Sequence, residues 1–185
     1  MRTAAPDRRW VATASIPSPL GPLLAGAVDT GICLLEFAGG RRAEEQHRRV
    51  GARLGGTSSG SAHALLERLG QELNEYFRGS RRAFTVPLSQ AGTPFQQRVW
   101  HELPRIPYGE TRTYEDLARA IGAPGAQRAV GHANASNPIA ILVPCHRVIA
   151  KSSGLGGYGG GLWRKRLLLN LEKGMPPDGP LFASG

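Results

Sequence analysis

The chain has 185 residues, 41% of them hydrophobic, and carries Lys+Arg 23 against Asp+Glu 14 for a formal net charge of +9. That length holds one large domain or two small ones with a real core; no run approaches the roughly 18 to 20 apolar residues of a membrane span, and the opening "MRTAAPDRRWVATAS" lacks the apolar centre of a secretory signal, so a soluble, cytoplasmic protein with no membrane partner is expected. Two cysteines, Cys33 and Cys145, are too few for a disulfide framework or a four-cysteine zinc cluster, and the positive charge, spread over both halves of the chain, favours a polyanionic partner met by a folded face.

In chain order, "GPLLAGAVDTGICLLEF" reads as a β-hairpin turning at Asp29-Thr30-Gly31. The run "RRAEEQHRRV" reads as a solvated surface and "GARLGGTSSGSAH" as a loop. Leu65, Leu66, Leu69, Leu73, Tyr76 and Phe77 then recur at helical spacing, which predicts an amphipathic helix ending near Gly79 whose residues are core. "FTVPLSQAGTP" reads as a last strand and a connector. A boundary there divides the chain into an N-terminal structural domain, 1–90, and a C-terminal domain, 91–185.

The second half opens with Thr93 capping a helix that has Pro94 at its first position, with Phe95, Val99, Trp100 and Leu103 on one face. Pro104 and Pro107 end it. Thr113 and Asp116 have the spacing of a capping box, and Leu117 with Ile121 makes an apolar seam. The turn "GAPG", residues 122–125, then permits a reversal into a second short helix from Ala126 to Asn134. Both a helix-turn-helix and a plain αα-hairpin fit this pattern. The composition of the second helix favours the former: Ala126, Ala129, Gly131, Ala133 and Ala135 leave its surface nearly bare, with Arg128 the long side chain among them. A minor groove about 6 Å wide excludes a bulky helix and can accept a stripped one, and an arginine projecting from it can enter the base stack as wedge side chains do.

Cys145 stands in "NPIAILVPCHRVI". If "IAILV" is a strand, Pro144 ends it and the thiol falls where a side chain can meet a pocket. An inert, buried cysteine is the bland alternative. Three neighbours oppose it: His146 supplies a base, Asn137 and Pro138 mark a structured turn, and Glu172 in "WRKRLLLNLEKG" shares a helical stripe with Leu168, so its carboxylate is expected to be partly buried and to need a partner. A thiol is only a few per cent ionised at neutral pH, and a base oriented by an acid raises that fraction. In extended backbone, adjacent side chains diverge, so His146 is expected to reach the sulfur through a water.

The ordered set "GTPFQQRVW", "IPYGETRTY", "GAQRAVGHANASNP", "ILVPCHRVI" and "GYGGGLWRKRLLLNLE" resembles the O6-alkylguanine-DNA alkyltransferases, the methylated-DNA-protein-cysteine methyltransferases, from about Gly92 to Glu172. The stretches "SPLGPLLAG" and "GICLLEF" resemble that family's N-terminal domain. The resemblance implies an α/β protein with a small N-terminal antiparallel sheet plus helix of the ribonuclease H-like kind, and a mainly helical C-terminal domain with a helix-turn-helix. It implies a monomer that binds double-stranded DNA through the minor groove, flips out O6-alkylguanine, with O4-alkylthymine a second candidate, and takes the alkyl group irreversibly, once per molecule.

Carried over by position, Cys145 is the acceptor, His146 the water-mediated base, Glu172 its orienting acid, and Asn137 the holder of the turn. Arg128 is the finger that fills the gap left by the base, and Tyr114 contacts the phosphate and the guanine ring. Thr113, Gln127, Ala129, Gly131 and Ala135 would meet DNA, while Val148, Leu155, Gly156, Tyr158 and Gly159 would wall the base pocket. No cofactor is implied, and His47, His63, His101 and His132 form no metal-ligand set. Two departures from the family pattern are Ser153, where a glycine is usual, and Ala140, where some members carry a proline. A lesion sensor of the alkyltransferase-like kind would share the DNA-binding half but replaces the cysteine; a cysteine hydrolase or a plain helix-turn-helix regulator would leave part of this constellation unused.

Overall fold

The computed structural model describes residues 11–59, 62–151 and 154–175; Ser153 lies outside them. Strands β1 (Val11–Ile16), β2 (Leu23–Val28) and β3 (Gly31–Phe37) form an antiparallel meander, and the expected hairpin turns at Asp29 and Thr30 between β2 and β3. A short β4 (Thr57–Ser59) joins the far edge parallel to β1, giving the order β3-β2-β1-β4. Every residue of β3 is buried, because both faces of the strand are covered.

Among the described residues, two helices belong to this half. The second, α2 (Ala64–Phe77), runs as expected and buries Leu66, Leu69, Leu73 and Tyr76. The first, α1 (Arg41–Leu54), corrects the reading of "RRAEEQHRRV" as mere solvated surface. Ala43, Gln46 and Val50 recur at i, i+3 and i+7 and bury one narrow stripe, while the arginines and glutamates between them face out. "FTVPLSQ" makes no full strand either: it contributes a single bridge, Leu88 to Ile32, with Ile32 N donating to Pro87 O at 2.8 Å and Ser89 N to Ile32 O at 2.8 Å.

The second half is mainly helical: α3 (Pro94–Glu102), a 3-10 turn at Leu103–Arg105, a two-residue β5 (Arg112–Thr113), α4 (Tyr114–Ala120), α5 (Gln127–Ala135), a 3-10 turn at Cys145–Arg147, β6 (Val148–Ile149) parallel to β5, and α6 (Leu162–Glu172). Thr93 and Thr113 both close reciprocal capping boxes, with Gln96 and Asp116 respectively, so both helix starts follow from local sequence. Helices α4 and α5 pack on each other across Gly122–Gly125, the two ends of that turn having φ of 69° and 85°.

"IAILV" is not a strand. Residues 139–143 form a tight turn in which Ile141 has a φ of +70°, an outlier for a β-branched residue. The turn docks on the edge of the sheet: Leu35 N donates to Pro138 O at 2.8 Å and Ala140 N to Leu35 O at 2.7 Å. Pro87–Ser89 and Pro138–Ala140 together pair with the open edge of β3, which satisfies its backbone and ties the segment before Cys145 to the N-terminal half. No helix among the described residues is long and apolar enough to cross a membrane.

Candidate active site

Cys145 begins the 3-10 turn at the floor of a cleft of about 490 Å³. Tyr114, Arg128, Gly131 and Ala135 face it from the helix-turn-helix, Tyr158, Gly159 and Gly160 from the loop before α6, and Glu36 and Arg42 from the N-terminal half. The volume suits a base-sized ligand.

Asn137 explains why the turn takes this path. Fully buried, its Nδ2 donates to Val143 O at 2.8 Å and to Ile139 O at 3.4 Å, and its Oδ1 accepts from Ile139 N at 3.1 Å. One amide thereby closes the backbone that the positive φ of Ile141 opens. Asn134, from α5, donates to Cys145 O at 3.2 Å and so links that helix to the turn. From α1, Arg42 reaches Asn137 O at 3.3 Å, and Gln46 reaches Ser136 O at 3.1 Å, capping carbonyls at the end of α5.

Behind the thiol lies a filled polar cluster. His146 and Asn137 are wholly buried, and Glu172 is 5% exposed. Oε1 of Glu172 accepts from Tyr76 Oη at 2.8 Å and Arg147 Nη2 at 2.9 Å, and lies 2.9 Å from His146 Nε2. Its Oε2 accepts from Arg147 Nε at 2.8 Å and from Gly109 N at 3.1 Å. Gly109 is required there: its φ is +80°, and a Cβ would stand 2.9 Å from Glu172 O. Burial alone would raise the Glu172 carboxyl, but the hydrogen bonds from His146 and Arg147 and the charge of Arg147 hold it far below the usual carboxylate range.

An ionised Glu172 can only accept, so His146 must carry its proton on Nε2. Its Nδ1, buried and with no protein partner among the described residues, is left as the acceptor. Burial depresses the imidazole, against the pull of Glu172, so it is held as a neutral base. Cys145 is raised, first by burial and then by the Glu36 charge, with the Asn137 hydrogen bond and the charges of Arg42 and Lys165 opposing. At rest the sulfur is a protonated thiol beside a neutral imidazole.

Tyr114 opens α4, its ring lying 3.9 Å from a Cβ built at Gly131 and its hydroxyl 3.1 Å from one at Gly156. Burial first and the nearby Cys145 second raise its phenol, and the same causes push Tyr158 further, so both stay protonated donors. Arg128 and Ala129 are exposed on α5, Gln127 is half-buried at its start, and Thr113 is occupied as the cap of α4. Of the residues expected to wall the pocket, Tyr158 and Gly159 line the cleft, and Val148, Leu155 and Gly156 are not among the residues that line it. Ala140 lines it as well.

Lys165 takes up two of those residues from the rear. It is fully buried, its Nζ donating to Val148 O at 2.6 Å, to Leu155 O and to Gly157 O at 3.4 Å, and burial lowers it to about 8. A Cβ at Gly159 would collide with the Arg42 guanidinium, which Glu36 holds at 2.7 Å, so the pocket wall rests directly on the N-terminal half. Sequence reasoning assigned no role to Tyr76, Arg147, Lys165, Arg42 or Glu36. Arg42 lies in the charged run, Tyr76 in the core stripe, and Arg147 inside "PCHRVI" itself, beside Cys145 and His146, whose residue types carry the stronger chemical signal.

The fold and cleft define a class: a helix-turn-helix protein with a single thiol, backed by a histidine and a glutamate, at the base of a pocket open towards the second helix. Residues 94–174 match the family model for the DNA-binding domain of 6-O-methylguanine DNA methyltransferase, and residues 11–90 match that for its ribonuclease-like domain. The chain belongs to the 6-O-methylguanine DNA methyltransferase family.

Among relatives, the methylated-DNA--protein-cysteine methyltransferase of Mycobacterium tuberculosis (strain H37Rv) is 49% identical over 166 residues, covering 88% of this chain and 93% of that protein. The constitutive enzyme of that name from Bacillus subtilis (strain 168) is 59% identical over 104 residues, 56% of this chain and 63% of that protein. The crystal structure of Mycobacterium tuberculosis OGT in complex with DNA superimposes with a TM-score of 0.78 at 45% identity, covering 93% and 99% of the two chains. The O6-methylguanine-DNA methyltransferase of the hyperthermophilic archaeon Pyrococcus kodakaraensis KOD1 gives 0.62 at 27% identity, covering 88% and 98%.

Proposed function

We propose that this chain repairs DNA by direct damage reversal, transferring the alkyl group of O6-alkylguanine to its own Cys145 in a single turnover. The observation that carries the reading is the thiol at the floor of a base-sized cleft, with a neutral buried imidazole next to it and a helix-turn-helix at the mouth. Inside a duplex the alkyl carbon is out of reach, so the nucleotide must leave the stack. Arg128, exposed on the bare helix α5, takes its place, and the small residues Ala129, Gly131 and Ala135 let the helix enter the minor groove.

The chemistry balances without a cofactor. The thiol proton passes through a water to Nδ1 of His146, and Glu172 steadies the imidazolium through Nε2. The sulfur attacks the alkyl carbon in line; the S–C bond forms as the C–O6 bond breaks. The electron pair left on guanine is met by a hydrogen bond from the Tyr114 hydroxyl; the guanine anion takes a proton from water while the His146 imidazolium gives its proton back to water, so the hydrogen lost from the thiol equals the one that guanine regains. The thioether has no leaving group of its own, so the protein is spent.

In this division of labour residues 1–90 are the structural domain, residues 91–185 bind DNA and carry the transfer, and one protomer suffices. Relatives named for methyl transfer from DNA to a protein cysteine, and a close structural neighbour solved with DNA, support the reading.

The test is a titration of excess O6-methylguanine duplex into a fixed amount of protein, scored as guanine restored. The expected plateau is one guanine per protein, absent in Cys145→Ala, which still binds the duplex. Continued turnover, or transfer by Cys145→Ala, would sink the mechanism.

A further inference from the structure

Every member of the Glu172 cluster comes from the C-terminal half except one. Tyr76 belongs to α2, and its hydroxyl crosses between the halves to Oε1 of Glu172 at 2.8 Å. We propose that Tyr76 is a positioning residue of the transfer centre, its hydroxyl setting how strongly Glu172 holds the proton of His146. The proposal rests on the transfer reading above and adds to it a residue of the N-terminal half.

Packing accounts for the ring and not for the hydroxyl. The ring sits among Phe77, Phe84 and Tyr108, with centroids at 5.4, 5.4 and 6.1 Å, and phenylalanine would fill the same space. A hydroxyl on a residue 1% exposed costs free energy unless it is paired, and here its partner is the carboxylate that orients the base. The donor sense is fixed: Glu172 is ionised, and burial, followed by the Glu172 charge, keeps the phenol protonated.

Three donors therefore share one oxygen, Tyr76, His146 and Arg147, while Arg147 Nε and Gly109 N occupy the other. A carboxylate oxygen crowded in this way divides its accepting capacity. Deleting the neutral donor leaves Oε1 to two cationic or ionisable groups, and the bond to His146 tightens. A tighter bond favours the imidazolium, and an imidazolium cannot accept the thiol proton.

The other charged or titratable groups around this cluster are unchanged by the deletion. They are Cys145 and Arg147 on the same 3-10 turn, Lys165 on α6, and Tyr108 with Arg82 over its ring. The effect on His146 therefore reports on the hydroxyl.

The experiment measures the rate of methyl transfer from an O6-methylguanine duplex across pH for the full chain and for Tyr76→Phe. The expected result is a displacement of the acidic limb to higher pH by roughly 0.7 unit, the five-fold change in proton affinity that one hydrogen bond's net free energy supplies. In a Glu172→Gln background the same substitution should produce no displacement. Superimposable midpoints, a fall in rate that is uniform across pH, or a displacement that persists in Glu172→Gln would each overturn the proposal. Absence of transfer by the wild-type chain at every pH would instead overturn the function on which it rests.

Discussion

On its α6 side Cys145 is backed by side chains whose polar valences are nearly all filled: the two oxygens of Glu172 serve five donors, and Lys165 serves three carbonyls. On its α5 side the cleft above the same thiol is lined by Arg128, Gly131, Ala135 and the exposed His132. The buried side has to hold a proton donor and acceptor in one arrangement, which dense hydrogen bonding does well. The open side has to meet a duplex of any sequence, which calls for shape and charge and not for a fixed set of base contacts. Under the proposed function, chemistry and recognition are thus separated across a single residue.

The comparison is broken most severely on the buried side. Glu172→Gln removes the only carboxylate among the described residues that pairs with His146 and Arg147 and leaves the guanidinium buried without that counter-charge. Loss of one partner from a buried pair costs about 3–5 kcal/mol, so the urea midpoint should drop sharply and transfer should slow together with it. A variant with wild-type stability would mean that the cluster is wetter and looser than its geometry indicates.

The open side should respond differently. Arg128 is exposed, so Arg128→Ala should leave folding unchanged while slowing transfer from duplex DNA by about 30-fold or more, the scale of about 2 kcal/mol or more for an unfilled, unstacked site. The reaction with O6-benzylguanine as a free base, which needs no flipping, gives the comparison rate. Equal slowing on duplex and free base, or none on the duplex, would remove the finger role.

The smallest expected effect is one of pH. The folded-state imidazole of His146 is depressed by burial, so the unfolded chain binds its proton more readily, and stability falls as pH drops below the ordinary histidine value of about 6.5. The limit is about 1.4 kcal/mol per pH unit for one group. Unfolding free energies between pH 7.5 and 5.5 should show this slope and should lose it in His146→Gln. A flat profile in the wild-type chain would show that burial leaves the proton affinity of the imidazole unchanged, and stability that instead falls as pH rises would show that the imidazole is charged in the fold.

Legibility in the sequence followed the range of the deciding interaction. The caps at Thr93 and Thr113, the hairpin and the turn at Gly122–Gly125 depend on partners within a few residues, and all were readable. The burial of Glu172 and its need for a partner were readable from the helical stripe, and His146 is that partner. "IAILV" misled because a run of branched apolar residues looks like a strand by composition; its course is decided by Asn137 and by the edge of β3, a strand about a hundred residues earlier. The stripe of Ala43, Gln46 and Val50 was present at helical spacing, but the surrounding charges hid it. Tyr76 was correctly placed in a core face, yet nothing local could disclose a hydroxyl partner 96 residues away.

The most direct test of the central claim is intact-protein mass spectrometry after incubation with a duplex carrying a single O6-methylguanine, followed by peptide mapping. The account predicts a gain of one methyl in place of one hydrogen per chain, confined to the peptide holding Cys145 and not to that holding Cys33. A folded protein that binds the lesion yet gains no mass, or gains it elsewhere, would contradict it.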